Sequence, residues 1–145
     1  MYRMSRAEWL PFVNEGTRTG HLAVTRADGS PHVAPVWFLL DSSTGVDRIV
    51  FNTGSRTVKG RALLRDPRFA MVVDVASPPY SYVMFYATAS VVDDPAESLP
   101  WSMRIGARYM GEERGAEFGR RNAVPGELLV FGTITKVVAE AEISG

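Results

Sequence analysis

The chain contains no cysteine and only two histidines among its 145 residues. Without thiols it cannot form disulfides, iron–sulfur or thiolate metal sites, or a cysteine nucleophile. His21 and His32 are then the only soft ligands, and a metal site needs a third. The sequence therefore predicts no metal centre, and it offers few side chains for acid–base catalysis.

Net charge and long apolar runs are also missing. Sixteen basic residues balance sixteen acidic ones, so no overall field attracts nucleic acid or an anionic membrane. No apolar run reaches about 18 residues, and the N-terminal segment has no apolar core of the kind found in export signals. These absences predict a cytoplasmic protein that has neither a nucleic-acid partner nor a membrane span.

Three familiar loops are absent as well. The sequence has no Gly-x-Gly-x-x-Gly, no Gly-Lys-Ser/Thr and no Gly-x-Ser-x-Gly. The usual loops for dinucleotides, for nucleoside triphosphates and for serine hydrolysis are therefore missing.

What is present is mostly β-strand pattern in a chain of one-domain length, so residues 1–145 are expected to form one domain. Ser5 and Glu8 form a capping box that predicts a short first helix, and helical pattern also covers 96–121 with a break at Gly111. Asp28-Gly29 predicts a hairpin turn. The predicted strands are 21–26, 31–41, 48–52, 69–74, 80–92 and 127–139. Several strands with few helices predict a mainly β, antiparallel barrel.

The segment 51–74 has the pattern of an anion-binding corner. A strand ends near Gly54, Ser55 is a candidate helix cap, and Arg56, Lys59 and Arg61 follow in the first two turns of the predicted helix. Helix-start amides together with cationic side chains favour phosphate. Helical spacing places Arg56 and Lys59 on one face and Arg61 on another, so the first pair is the better candidate. The alternative is an ordinary solvated basic helix.

Aromatic residues suggest a cleft for a flat ring. The candidates are Trp37, Tyr80, Tyr82, Tyr86 and Tyr109. Alternation in the strand 80–92 puts its tyrosines on one face and Val83, Phe85 and Ala87 on the other, and either face could be core.

Five segments form a recognisable pattern: TGHLAVTRADGSPHVAPVWFLLD, TVKGRALLRDPRFAMVVD, PPYSYVMFYATASV, RYMGEE and ELLVFGTITKVV. They resemble the split β-barrel flavin- and deazaflavin-binding oxidoreductases, the pyridoxamine 5'-phosphate oxidase-like superfamily, and within it the actinobacterial branch that uses deazaflavin. The resemblance implies a homodimeric split barrel with a cofactor in each of two grooves at the subunit interface. The phosphate tail of the cofactor would lie near the helix after the third predicted strand.

The same resemblance implies roles for individual residues. Lys59 corresponds to the phosphate-binding lysine, with Ser55, Arg56 and Arg61 beside it. Asn52 and Thr53 would contact the tail, and the strand under the ring would contribute His32, Pro35, Val36 and Trp37. Tyr80 and Tyr82 would reach the groove from the partner subunit. The chain departs from the pattern at Thr57, where relatives often have arginine, so that Arg56 is a candidate replacement.

The implied function is a hydride transfer from reduced deazaflavin, coenzyme F-420, to an activated alkene, a quinone or a tetrapyrrole-like acceptor. No catalytic residue is identified, because the cofactor performs the chemistry; candidate proton donors are Tyr80, Tyr82 and Tyr109. Two alternatives remain open. One is an FMN-dependent oxidase or reductase of the same fold, and the other is a non-catalytic protein that binds a cofactor or haem.

Overall fold

A computed structural model describes residues 1–145 as eight strands and four helices. The strands are β1 (Tyr2–Arg3), β2 (Gly20–Thr25), β3 (Pro31–Val36), β4 (Leu39–Asp41), β5 (Arg48–Gly54), β6 (Arg68–Asp74), β7 (Tyr82–Val92) and β8 (Glu127–Ala141). The helices are α1 (Arg6–Asn14), α2 (Val58–Arg65), α3 (Pro95–Met110) and α4 (Glu112–Asn122). None of these helices is both long and apolar enough to cross a membrane.

All strands belong to one antiparallel sheet, in the order β3-β2-β6-β7-β8-β5-β4, with β1 added to β8. The β2–β3 hairpin turns at Asp28 and Gly29, where Asp28 accepts hydrogen bonds from the backbone and hydroxyl of Ser30. Gly29 has a φ of 85°, which a glycine adopts without strain. The predicted hairpin and the mainly β, antiparallel fold class are confirmed.

The sheet curls into a split barrel because its two edge strands are joined by only two residues. β3 ends at Val36 and β4 begins at Leu39, yet β3 pairs with β2 while β4 pairs with β5 at the opposite edge. Three Cα steps span at most about 11 Å, so the two edges lie close together. The prediction of one continuous strand over 31–41 is wrong, because Trp37 and Phe38 are where the chain crosses from one edge to the other.

The C-terminal end of α3 holds this crossing point. The Phe38 amide donates a hydrogen bond to the Tyr109 hydroxyl at 3.2 Å, and the Phe38 carbonyl accepts one from Arg108 at 2.9 Å. Arg108 also donates to the carbonyls of Gly16 and Val13. A helix therefore supplies the partners that a neighbouring strand would otherwise give to this backbone.

The core lies inside the curled sheet. Alternate residues of β7, Val83, Phe85 and Ala87, are buried together with Phe38 and Phe51, whereas Tyr86 is exposed. This decides between the two faces that the sequence left open for β7. The capping box of Ser5 and Glu8 at the start of α1 is present as predicted, and α1 places Trp9 against Phe85.

Candidate functional site

A cavity lies beside the end of β5, where no strand pairs with its outer edge. β4 pairs only with Arg48, Ile49 and Val50, so the end of β5 from Phe51 to Gly54 pairs with β8 alone. The cavity lies along this open edge between the end of β3 and the end of β5, and residues of the helices α2, α3 and α4 border it. Its volume of about 550 Å³ is within the range of small-molecule sites.

The lining divides into an aromatic and aliphatic group and a polar group. The apolar group consists of Val36, Trp37, Ile105 and Phe118. The polar group consists of Thr19, Asn52, Thr53, Thr57, Lys59, Arg121, Asn122 and Glu127. A cavity with these two parts suits a ligand that has a flat apolar head and an anionic tail.

The polar group is built around the start of α2. The N-cap of this helix is Thr57, whose hydroxyl accepts a hydrogen bond from the Gly60 amide at 3.1 Å and lies 3.2 Å from the Thr53 hydroxyl. The prediction that Ser55 caps the helix is wrong, and Arg56 precedes the helix rather than sharing a face with Lys59. The cap moves to Thr57 because Gly54 accepts from both the amide and the hydroxyl of Thr57, so the turn occupies residues 54–57.

Lys59 provides a free cation in the cavity. Its ammonium forms no ion pair with any carboxylate and no hydrogen bond in the chain. The other cation of the lining, Arg121, is already paired with Glu117 at 3.3 Å and lies over the Phe118 ring. Lys59 and the first amides of α2, which have no acceptor within a helix, can therefore bind an anion.

Glu127 is the one carboxylate of the lining. It begins β8, opposite Gly54, and its side chain forms neither a hydrogen bond nor an ion pair. Burial raises the pKa of this carboxyl, and the positive charge of Lys59 acts against that rise. Glu127 is thus near Lys59 without neutralising it through contact.

Asn52 is held in place by α3. Its amide oxygen accepts a hydrogen bond from Ser102 at 3.0 Å, and its amide nitrogen donates to Ser98 at 3.3 Å. Both serines are buried, and Ser98 and Ser102 also contact each other at 3.3 Å. This network fixes the orientation of Asn52 in the cavity wall.

The apolar group is centred on Trp37. Its ring is stacked on Tyr109 with centroids 5.1 Å apart and planes within 2°, and Phe118 packs against it at 5.8 Å. Tyr109 itself is not in the lining; its hydroxyl donates to the Arg18 carbonyl at 2.7 Å, and burial raises its pKa. The structure gives Tyr109 the role of positioning Trp37 and Phe38 rather than a free hydroxyl in the cavity.

The structure brings together half of the predicted site residues. Those that line the cavity are Pro35, Val36, Trp37, Asn52, Thr53 and Lys59. Ser55 and Arg56 line an adjoining depression that shares Gly54, Thr57 and Glu127 with the cavity. His32, Arg61, Tyr80 and Tyr82 line neither.

Each of the four residues outside has a distinct position. His32 lies on β3 and contacts Arg26 at 3.2 Å, and Arg61 is exposed on α2. Tyr80 precedes β7 and is 43% exposed, and Tyr82 begins β7. Within one chain, neither tyrosine reaches the cavity.

Several lining residues were not predicted from the sequence. Ile105, Phe118 and Arg121 come from α3 and α4, and Glu127 from the start of β8. All four lie more than 40 residues from Lys59, and the packing of α3 and α4 together with the return of β8 beside β5 brings them to the cavity. The one local signal was the turn glycine Gly126, with a φ of 88°, just before the closing strand.

One known protein family matches most of the chain. The chain matches the pyridoxamine 5'-phosphate oxidase family over residues 6–137. No curated protein sequence matches it significantly.

Solved structures share the fold over nearly the whole chain. A conserved hypothetical protein from Mycobacterium tuberculosis is 24% identical with a TM-score of 0.80, covering 97% of this chain and 87% of that one. An F-420 reductase is 23% identical with a TM-score of 0.67, covering 88% of this chain and 94% of its own. A haem storage protein from Vibrio cholerae is 15% identical with a TM-score of 0.72, covering 98% and 100%.

At these identities the solved structures establish the fold, and the family match covers most of the sequence. The resemblance seen in the five sequence segments is confirmed at this level. The chain belongs to the pyridoxamine 5'-phosphate oxidase family, with the split-barrel fold of its superfamily.

Proposed function

We propose that the protein is an oxidoreductase that binds coenzyme F-420 in the cavity at the open edge of β5. Its substrate would be an activated alkene, a quinone or a tetrapyrrole-like acceptor. The observation that carries the proposal is the unpaired Lys59 ammonium at one part of a cavity whose other part is aromatic. The similarity to an F-420 reductase supports the choice of coenzyme.

The residues of the cavity fit such a ligand. Lys59 and the first amides of α2 would hold the phosphate, since an ammonium and backbone N–H groups can donate to its oxygens. The Thr57 hydroxyl already donates to the Gly54 carbonyl, and the Thr53 hydroxyl lies against it. Val36, Trp37 and Phe118 would hold the ring and exclude water from it. When bound, the reduced deazaflavin supplies the hydride, so the protein has to bind, orient and shield the reactants.

The proposal includes a homodimer. Pro35 lines the cavity and is also exposed on the outer face of the sheet, so a partner on that face would border the cavity. Tyr82 lies on the same outer face, in register with Asp74 and Glu140. Tyr80 and Tyr82 of a partner would then be the proton-donor candidates, because the Tyr109 hydroxyl is engaged by backbone. The cytoplasmic location stays a prediction.

Binding and turnover test the proposal together. Titration with the deazaflavin coenzyme, FMN and haem, followed by fluorescence or absorbance, should give the tightest binding for the deazaflavin. The loaded protein should then oxidise reduced deazaflavin when a quinone or an enone is added. Binding of FMN with no binding of the deazaflavin would support the FMN-dependent alternative, and binding of haem alone would support the non-catalytic one.

A further inference from the structure

We propose that Glu127 is a specificity residue that favours a phosphodiester over a phosphomonoester in the tail part of the cavity. The inference rests on the proposed function, because it concerns which flavin-type cofactor the site accepts. FMN ends in a phosphomonoester, whereas the deazaflavin coenzyme carries a phosphodiester, followed further along its tail by glutamate carboxylates that solvent and salt screen. Glu127 would act on the difference in charge between these two groups.

The first argument is that Glu127 has no structural use for its charge. Its carboxylate accepts no hydrogen bond and has no cation within 4.0 Å, although it is partly buried. Only its backbone contributes to the fold, through the pairing of β8 with Gly54. A partly buried, unpaired carboxylate costs stability, and the pKa of this one is raised by that burial. A charge that destabilises the free protein points to a role towards a ligand.

The charges around the tail part of the cavity favour a ligand of low charge. Lys59 is the free cation of the lining, and Arg121 shares the Glu117 carboxylate with Arg114. Glu127 adds a negative charge beside Lys59 and so offsets part of the positive charge that Lys59 and the neighbouring Arg56 supply. A phosphomonoester carries nearly two negative charges at pH 8, since its second pKa is about 6, and a phosphodiester carries one.

The expected discrimination follows from the ligand charge. The energy of Coulomb repulsion from Glu127 is proportional to that charge, so it is twice as large for the monoester as for the diester. Because affinity depends exponentially on energy, the factor by which Glu127 weakens binding of the monoester is the square of the factor for the diester. The Glu127 carboxylate and the phosphate would lie a few ångströms beyond contact, in a site open to water and salt. We therefore expect Glu127 to weaken the affinity for a monoanionic phosphate about threefold and that for a dianionic phosphate about tenfold.

The experiment compares three ligands at pH 8 and low salt. Dissociation constants of riboflavin, FMN and the deazaflavin coenzyme are measured by fluorescence for the wild-type protein, for Glu127→Gln and for Glu113→Gln. Glu113 is an exposed acid of α4 outside the cavity, so its substitution makes the same change in net charge. Thermal melting monitors folding, and Glu127→Ala is a second neutral variant at the same position.

The proposal expects a specific pattern. Both Glu127 variants should tighten FMN by about tenfold and the deazaflavin coenzyme by about threefold, with riboflavin and the Glu113→Gln variant unchanged. Equal changes for FMN and the deazaflavin, or none, would overturn the role of Glu127 while the wild-type binding still supports the proposed function. If the wild-type protein binds none of the three ligands, the proposed function fails, and this inference fails with it.

Discussion

At the scale of single residues, the charge on Lys59 is the feature on which anion binding depends. Two of the arginines near the site are engaged: Arg65 donates to the Thr25 carbonyl, and Arg121 pairs with Glu117. The sequence suggested several cations around one helix, but only Lys59 both lines the cavity and is free. The site therefore has fewer available positive charges than the number of basic residues in 56–65 suggests.

Substitution of Lys59 tests this directly. We expect Lys59→Ala to weaken binding of a phosphate-bearing flavin by about 1.5–3 kcal/mol, because a charge-assisted hydrogen bond is lost. The measurement is a fluorescence titration of a variant whose melting curve shows a folded protein. Arg61→Ala is the matched control, since Arg61 is exposed on the same helix and outside the cavity, and it should leave affinity nearly unchanged. Equal affinities for wild-type and Lys59→Ala would remove this lysine from the site.

Glu127 also predicts a pH dependence of stability. Its folded pKa is raised by burial, so the folded state holds this proton to higher pH than the unfolded state does. The wild-type protein thus loses stability as the pH rises from about 4, the unfolded pKa of glutamate, through the folded pKa.

Glu127→Gln has no such titration. We expect its melting temperature to exceed that of the wild type by about 2 °C at pH 7, and the difference to vanish near pH 4. Differential scanning calorimetry of both proteins across this range measures it. A difference that stays constant with pH would show that the carboxyl is not perturbed.

At the residue scale the sequence located the part of the cavity lining that is local in the chain. Asn52 and Thr53 lie at the end of β5 and Lys59 follows the next turn, so their clustering was predictable. Glu127 and Phe118 were not, because they reach the cavity only through the pairing of β8 with β5 and the packing of α4.

At the scale of elements, α3 has two separate functions in positioning the site. Its N-terminal half supplies Ser98 and Ser102, which orient Asn52. Its C-terminal end supplies Arg108 and Tyr109, which bind the backbone at Phe38. Both parts of the cavity thus depend on one helix, so changes at these four residues, which do not line the cavity, should still affect binding.

Tyr109→Phe tests the second of these functions. The Tyr109 hydroxyl donates to the Arg18 carbonyl and accepts from the Phe38 amide, so its removal leaves two backbone groups without that partner. We expect a loss of about 1–3 kcal/mol in the free energy of unfolding, measured by urea denaturation. The control is Tyr2→Phe, whose side chain is 45% exposed and whose substitution should change stability by less than about 0.5 kcal/mol. If Tyr109→Phe is as stable as the wild type, the hydroxyl does not hold the crossing point.

The elements themselves were largely predictable. Alternating apolar residues and turn glycines located β2, β6, β7 and β8, and the break at Gly111 separates α3 from α4 as expected. The error at Trp37 and Phe38 has a physical cause. These residues are as apolar as the strands on either side. The strand ends because the chain changes its pairing partner from β2 to β5, and such a change has no local sequence signal.

At the scale of the whole molecule, one face of the sheet is apolar and uncovered. Residues in register across four strands form a row on this outer face: Val33, Ala23, Ala70 and Tyr86. The next row contains Pro35, His21, Val72 and Met84. Val33 is 62% exposed, and the two alanines make the face flat. A flat apolar surface of this kind is typical of a protein–protein interface.

We therefore expect a stable homodimer through this face. Analytical ultracentrifugation should give twice the chain mass of 15.9 kDa, with no monomer on dilution to low micromolar concentration. Ala70→Arg places a charge in the middle of the face and should dissociate the dimer, whereas Ala96→Arg, on the exposed start of α3, should not. A folded monomer that still binds the cofactor would contradict the dimer.

The split barrel as a whole was recognised from the sequence because the five matching segments extend over most of the chain. The breadth of the cavity was not, because it depends on how far β4 extends along β5. The first residue of β4, Leu39, pairs with Val50, and the cavity lies beside the rest of β5, which β4 does not reach. The length of an edge strand such as β4 is hard to predict from a sequence in which apolar residues continue beyond the strand.

The two-residue connection between β3 and β4 sets the largest distance between the two edges of the sheet. It limits how far the edges of the sheet can separate, and the cavity lies beside it, between the ends of β3 and β5. The width available to a bound molecule thus depends on the length of this connection as well as on the side chains of the lining. An insertion or deletion between Val36 and Leu39 would adapt the opening to a broader or narrower compound while leaving Lys59 and its neighbours untouched.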